Sequence, residues 1–512
     1  MSQGPCPSDI LLLIFSHLDP QSKRQLCLVS RYFHSIFAPL VLRNIRIPFC
    51  QENTSSDSID SRLQTCSSPL PNLYEHAQAL RVKAQNYYFP HHVTTSLLPA
   101  LWDTIARLKS LKSLQVDWEY RGECEDHQTI EEYHRHIVEG VLRATEDHLE
   151  GLVLIVDLSS QTLPVALKQI RGLKSLRIAH DQHGWLCSKS SIFGDDGVCR
   201  CDRPWMQDII KPLIAANPML ETLELVQGCL NRGPKPNDTL PASLKNLTSL
   251  TFSSLEIPSV PEKGGALSPL RNLRHLTVRA PYRQLKIDAF WDALGAAKPP
   301  LETLVSFQIC LPLVNFLKSF SGLRSLEFQR IECCDSPEVV STFLQHVLPR
   351  HADTLERLSI HYRHDVDSIP GLDFDPKTWA PALIQLHKLE YLGIYAPPPP
   401  LFPDHEDTLS SRLSKTYQAL LDIVGDMSNL NTLQIHYPEP EFGCGTGYVN
   451  WSSWLQRVLN RVVPKLRVKG GRPMRLDLFN GTQNCVPLDD ETWGYIPVTV
   501  CVPEVDSSDD ED

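Results

Sequence analysis

Two hydrophobic rhythms divide this sequence. Near the N-terminus, Ile10, Leu11, Ile14, Phe15 and Leu18 recur at helical spacing; at about 100° per residue they cover roughly 140° of a helix surface, and Leu12 and Leu13 cover much of the rest. Pro7 suits a first helical position, Asp9 favours the positive end of a helix, and Pro20 stops the segment, so the pattern predicts a short helix over residues 8–18. A helix apolar nearly all round needs covering on two sides. Leu26, Leu28, Val29, Phe33, Ile36 and Phe37 in the following helices can cover one side; in a unit of about forty residues the other is left for a partner, or for the rest of the same chain.

The second rhythm is a phrase, Leu-x-x-Leu-x-apolar, to which the chain returns repeatedly. Clear copies run over residues 111–116, 149–154, 173–178, 220–225, 247–252, 273–278, 323–328, 355–360, 389–394 and 430–435. Residues 77–82 begin the series weakly, 301–306 breaks at its third apolar position with Ser306, and Arg475 to Leu478 is a truncated last member. The second Leu and the third apolar residue lie two apart, on one face of a strand, with the first Leu turned inward ahead of them. A single unit cannot bury that face, so neighbours must stack. Many first leucines stand roughly 24 to 28 residues apart, within or near the range of a strand-and-helix repeat, while the intervals after Leu173 and Leu389 are long enough to hold inserted loops. Amphipathic stretches at 130–143, 204–216, 287–297, 337–348, 379–386 and 409–423 supply the helices between strands. An ordinary parallel α/β domain also alternates in this way, but does not repeat one phrase.

Both rhythms resemble known families. Pro7-Ser8-Asp9-Ile10-Leu11, Ile14-Phe15, Leu18-Asp19-Pro20 and Leu26-Cys27-Leu28-Val29-Ser30-Arg31 resemble the F-box in order and spacing, with Cys6 at a position usually Leu and Phe33 at one often Trp. That resemblance implies a three-helix unit that docks a Skp-type adaptor and, through it, a cullin, with Pro7, Ile10, Leu11, Ile14, Phe15, Leu18, Leu28, Val29 and Phe33 as its contacts. The recurring phrase resembles a divergent leucine-rich repeat. The expected fold is therefore α/β: an F-box at 6–46, a linker or insertion at 47–71, a leucine-rich-repeat solenoid of horseshoe form at 72–502 with long inserted loops and a C-terminal cap, and a disordered acidic tail at 503–512. The resemblance implies a noncatalytic receptor that holds a target protein for ubiquitination. A second reading is an interaction scaffold that uses the same F-box outside a ligase.

Composition narrows the partners. A formal net charge of -11 over 512 residues argues against nonspecific binding to nucleic acid or an anionic membrane, and no stretch approaches the roughly 18 apolar residues of a membrane span. Fifteen cysteines without a regular framework, and no signal peptide, point to reduced thiols in cytoplasm or nucleus. His180, His183, Cys187, Cys199 and Cys201 are the densest candidate for zinc, but the spacing departs from zinc knuckles, and no metal or cofactor is expected. Gly443, Gly445 and Gly447 lack the Lys-Ser/Thr ending of a phosphate loop, and Cys333-Cys334 has no catalytic setting, so no enzyme activity is expected. Ser507 and Ser508 in the tail stand three residues before Asp510 and Glu511, an arrangement similar to acidophilic kinase sites. Target contacts are expected from outward strand positions. The column six residues after each first Leu includes Arg279, Phe307, Gln329, His361, Tyr395 and His436, and the column four after includes Gln115, Arg177, Glu224, Glu327 and Gln434.

Overall fold

The computed structural model describes residues 11–12, 15–50, 75–86, 102–103, 105–120, 140, 149–156, 167–180, 210–226, 244–253, 270–279, 288–331, 337–362, 375–395, 406–436, 457–469, 473–478, 481–488 and 492–496. It divides into two compact units, one of residues 1–272 with 280–285, the other of residues 273–279 with 286–512.

The first unit opens with helices. Residues 11, 12, 15 and 16 are helical, a turn follows at His17 and Leu18, and α1 (Pro20–Val29) begins at once. Asp19 caps α1 by accepting the backbone N–H groups of Gln21 at 2.8 Å and Ser22 at 3.0 Å, and the Ser22 hydroxyl, which also donates to it, together with these bonds holds its carboxyl below the ordinary carboxylate range. Pro20 takes the first helical position, where a missing N–H costs nothing, so it starts the second helix as well as ending the first. Ser30 caps α2 (Arg31–Val41), its hydroxyl accepting the Phe33 N–H at 3.2 Å. The helices close on one aromatic stack. Phe15 lies 4.2 Å from Phe37 with ring planes 8° apart, and Phe33 lies 5.8 Å from Phe37.

Strand β1 (Asn44–Cys50) follows α2 almost directly and pairs in parallel along its whole length with β2 (Ala79–Asn86). The F-box boundary expected at residue 46, and the linker expected from 47, therefore fall inside a strand. Then β3 (Ser113–Tyr120), β4 (Gly151–Val156), β5 (Ser175–His180), β6 (Thr222–Val226) and β7 (Ser249–Ser253) each pair in parallel with the strand before. Helix α3 (Lys211–Ala215) precedes β6. Of the stretch expected as a helix at 130–143 only residue 140 is described, and of that at 204–216 only residues from 210 on.

In the second unit β8 (His275–Arg279), β9 (Thr303–Ser306), β10 (Ser325–Ile331), β11 (Arg357–Tyr362), β12 (Tyr391–Tyr395) and β13 (Thr432–His436) pair in parallel in chain order. Strand β14 (Arg467–Lys469) stands outside this series, and β13 pairs next with β15 (Arg475–Leu478). From β15 the chain turns back through antiparallel β16 (Gly481–Pro487) and β17 (Thr492–Ile496), on which β14 also pairs. Helices α4 (Asp288–Ala297), α5 (Leu311–Lys318), α6 (Pro337–Thr342), α7 (Pro376–Leu383) and α8 (Glu406–Val424) occupy the connections. All but α5 coincide with expected amphipathic stretches, and α6 continues through a π turn at Phe343–Val347 to Arg350. Gln418 of α8 closes an edge of β14, its amide accepting the Arg467 N–H at 3.0 Å and donating to the Arg467 carbonyl at 2.8 Å. Among the described residues no helix is long and apolar enough to cross a membrane.

One backbone arrangement recurs in both units. The carbonyl of the second residue of a phrase accepts two amides from the next phrase: Lys112 and Ser113 both donate to Gln78, Lys174 and Ser175 to Glu150, Glu356 and Arg357 to Arg324, Asn431 and Thr432 to Glu390. Arg43 plays this part for Gln78 and Ala79, which makes β1 the first strand of the series. Beneath each such rung the phrase buries its leucines: Leu173, Leu176 and Ile178, like Leu323, Leu326 and Phe328, are fully buried. At about 25 cal/mol per Å² of apolar surface, each triplet contributes several kcal/mol, and no unit could keep that gain alone. Ser306, where the apolar pattern breaks, is also fully buried, and its hydroxyl is satisfied by the Gln308 carbonyl at 2.8 Å.

The same rungs carry an alternating charge ladder. Lys112 and Lys174 flank Glu150 at 3.7 and 3.0 Å, Arg274 meets Glu302 at 2.8 Å, and Arg324 meets Glu356 at 3.5 Å. Exposed pairs of this kind add little stability, but a one-strand mispairing would set like charges side by side.

Two polar side chains replace backbone partners where the chain enters a phrase. Asn217 accepts the Leu173 N–H at 2.9 Å and donates to the Ile170 and Leu213 carbonyls at 3.0 and 2.8 Å, all buried. His351 does the equivalent work in the second unit, its Nδ1 taking the Leu323 N–H at 3.4 Å while Nε2 faces the Leu317 carbonyl at 3.1 Å. Gly172 and Gly322 precede these leucines with φ of 82° and 110°, a conformation that favours glycine.

His351 is 1% exposed, and burial pushes its pKa down to about 4, from 6.5. The unfolded chain thus takes a proton that the folded chain refuses, so stability is full above pH 6.5 and falls by about 1.4 kcal/mol per pH unit toward pH 4. Thermal denaturation of the full chain and of His351→Gln across pH 7.5 to 4.5 is expected to show a shallower decline in the variant; identical slopes would contradict the assignment.

Candidate functional site

Two surfaces are built from the elements above. The first is the helical N-terminal segment. Phe15, expected as an adaptor contact, is buried in the stack with Phe37 and, as placed, holds the helices together. Phe33 and Leu18 are half-buried and Leu11 likewise, while Pro7, Ile10 and Ile14 lie outside the described residues. Leu28 and Val29, at the C-terminal end of α1, are 84% and 66% exposed. Tyr32 and Leu40 on α2, and Leu12, are also exposed. This is more apolar surface than a short helical pair leaves in water without a use.

The second surface is the outward side of the strands in the second unit. Since Leu358 and Ile360 of β11 point into the core, Arg357, Ser359 and His361 point away from it, and β10, β12, β13 and β15 repeat the alternation. Parallel register aligns these residues in rows. One row runs Thr303, Ser325, Arg357, Tyr391, Thr432, Arg475, and the next runs Val305, Glu327, Ser359, Gly393, Gln434, Asp477.

Gly393 shapes the centre of this face. Beside this residue, which has no side chain, His361 and His436 from the flanking strands meet with ring centroids 3.6 Å apart. A Cβ at Gly393 would come within 2.6 Å of the Ser359 hydroxyl and 2.9 Å of His436 Nε2. Ser359 contacts His361 Nε2 at 3.0 Å, and Glu327 stands 3.8 Å from the same nitrogen. Burial pushes His436 down to about 3, with His361 and Arg357 adding to the shift. Burial also lowers His361, against the pull of Glu327, so both rings are neutral near pH 7 and the Glu327 contact there is not an ion pair. Gln329 donates to Glu327 at 2.6 Å. Next to the histidines, the Arg357 guanidinium lies 3.6 Å from the centroid of the Tyr391 ring, whose hydroxyl is bonded to Gln434. Burial raises the Tyr391 phenol above its ordinary value, and Arg357 opposes the shift.

The structure thus brings together Gln329, His361 and His436 of the expected column. Arg279 is exposed at the end of β8. Phe307 and Tyr395, at 9% and 4% exposure, are buried and cannot serve as open contacts as placed. Arg357 and Tyr391 were missed because only positions four and six after the first Leu were read as outward; position two shares their face by the same alternation. The cysteine and histidine candidates at 183–201, the glycines at 443–447, Cys333, Cys334 and the acidic tail lie outside the described residues, as does the side chain of His180. Among the described residues, no group of three or more His, Cys, Asp or Glu is arranged to hold a metal ion.

Gly393→Ala is expected to force the histidine pair apart and to cost about 1–3 kcal/mol through overpacking, read as a lower melting temperature and altered His436 titration with labelled histidine. Unchanged melting and titration would show that the close approach is not a constraint.

Comparison with known proteins bears on the first surface. The profile of the F-box-like family matches residues 7–47, so this segment is an F-box-like domain. No curated protein matches the chain. Among solved structures, a Bacteroides fragilis protein aligns over 64% of this chain and 76% of its own, at 12% identity and a TM-score of 0.27, a likeness too weak to carry a fold.

Proposed function

We propose that the chain is a noncatalytic substrate receptor of a ubiquitin ligase. Its F-box-like domain docks a Skp-type adaptor and through it a cullin, and the outward strand face receives a target protein. The observation that carries the reading is the coincidence of the F-box-like match with Leu28 and Val29 standing bare on α1. Apolar side chains exposed to this degree lower the free energy only when a partner covers them.

The strands form a leucine-rich-repeat solenoid in this reading. Its support is the return of one phrase at successive parallel strands, most of them entered through the same shared-carbonyl rung, in an order that follows the chain within each unit. Chains built this way gain extended surfaces for protein recognition, and an F-box-like domain at one end gives that surface a purpose. Fifteen cysteines without a regular framework, with Cys27, Cys310 and Cys485 free among the described residues, and an acidic balance fit a cytoplasmic or nuclear protein.

Leu28→Asp with Val29→Asp places charge at the exposed pair while sparing the Phe15–Phe37 stack. Adaptor affinity of the full chain is expected to fall about 30-fold or more, at unchanged melting temperature. Undiminished adaptor capture by the folded variant would overturn the docking assignment, and recovery of adaptor without cullin would favour a scaffold over a ligase subunit.

A further inference from the structure

The C-terminal part of the second unit carries a charge opposite to that of the whole chain. Residues 442–474 hold six Lys and Arg and no Asp or Glu, within a sequence of formal net charge -11. Residues 457–462 are helical and run into a 3-10 turn at Val463–Lys465, which leads to β14. Val458, Leu459, Val462 and Val463 are buried, so Arg457, Arg461 and Lys465, spaced four apart, share the exposed side. Arg467, the first residue of β14, is half-buried.

Lys465 and Arg467 carry the inference. Arg457 and Arg461 have contacts of their own, whereas Lys465 forms no ion pair with a described residue. The Arg467 guanidinium donates to two carbonyls, Pro464 at 2.6 Å and Leu466 at 2.7 Å, rather than to a carboxylate. Asp422 of α8 accepts from Gln418, the residue that closes the edge of β14. Asp489, Asp490 and Glu491 precede Thr492, which pairs with Lys469 at the other end of β14.

The chain itself supplies the opposite charge close by. Strand β17 runs antiparallel to β14, with Gly494 opposite Arg467, and packs against the turn at Val463–Lys465, so the chain leaves Ile496 on the Lys465 side. Residues 497–512, which lie outside the described residues, contain six Asp and Glu, all within 504–512, and no Lys or Arg. At about 3.3 Å per extended residue, residues 497–503 span up to about 23 Å, while the helical stripe from Lys465 back to Arg457 is about 12 Å long. We propose that residues 504–512 dock on this basic edge, with Lys465 and Arg467 as the first contacts. A short tether gives the tail an effective concentration in the millimolar range, so ion pairs that are weak one by one hold it. Docked there, the tail shields the edge from other polyanions, and phosphate on Ser507 or Ser508, about -1.5 to -2 charge each, strengthens the contact. The inference does not depend on the receptor reading.

The test compares the full chain with a full-length variant carrying Glu504→Gln, Asp506→Asn, Asp509→Asn, Asp510→Asn, Glu511→Gln and Asp512→Asn, each titrated with a labelled peptide of the natural 504–512 sequence. The variant is expected to bind the peptide about tenfold or more tightly than the natural chain, whose own tail competes. Adding Lys465→Glu and Arg467→Gln to it is expected to remove that binding, while Arg274→Gln on the charge ladder leaves it unchanged. A peptide phosphorylated at Ser507 and Ser508 is expected to bind severalfold more tightly. In the natural chain, carbodiimide coupling, which joins an amine directly to a carboxylate, is expected to link Lys465 to residues 504–512 within one molecule. Absent or equal peptide binding by the two chains, binding that survives the Lys465 and Arg467 changes, no gain from phosphorylation, or links formed only between two copies would overturn the proposal. Melting temperatures check that each variant folds; should the Lys465 and Arg467 changes unfold the chain, the peptide competition and the coupling decide.

Discussion

A single carbonyl oxygen that accepts two amides from the next phrase fixes the position of nearly everything else described in this protein. At Gln78, Glu150, Arg324 and Glu390 the same bifurcated contact sets the start of the following strand, and the buried leucines beneath it set which side chains face inward. Because the contact involves only backbone and a short phrase, it tolerates connections of very different length. Leu173 and Leu220 enclose a long insertion, Leu149 and Leu173 a short connection, yet the phrases at Leu173 and Leu220 enter their strands in the same way. Where the backbone cannot complete the entry, Asn217 and His351 supply the missing donor or acceptor from a buried side chain.

The functional surfaces follow from this frame. Once the leucines point inward, strand alternation leaves no choice about which residues line the opposite face, and parallel register gathers residues far apart in sequence into rows. Arg357, Tyr391 and Arg475 become neighbours along one row although long helical connections separate them. Gly393 adds a local opening in which His361 and His436 meet. At the N-terminus the logic is different. A compact aromatic stack of Phe15, Phe33 and Phe37 uses up the apolar side chains it needs, and Leu28 and Val29 are what it leaves uncovered.

Much of this was legible in the residues. The Leu-x-x-Leu phrase marked each strand from β2 to β13, including the imperfect copy at Ser306, because a buried period-two pattern after an inward Leu has few other solutions. Strand β1 was overlooked although Ile45, Ile47 and Phe49 alternate, since it lacks the leading Leu and lies against the F-box-like segment. Phe15 was read as a contact because periodicity shows that a helix has two apolar faces but not which one the chain itself covers. Phe307 and Tyr395 were placed on the open side for a similar reason: alternation gives direction, whereas burial depends on neighbours that a single sequence does not position. The pairing of His361 with His436 required knowing which strands flank β12, information held in register alone.

Amide hydrogen exchange on the full chain tests the frame most directly. The account expects the two amides at each rung, such as those of Lys174 and Ser175, Glu356 and Arg357, and Asn431 and Thr432, to exchange slowly in every phrase whatever the length of the connection before it. Rung amides that exchange as fast as unpaired backbone, above all in phrases that follow long connections, would contradict it.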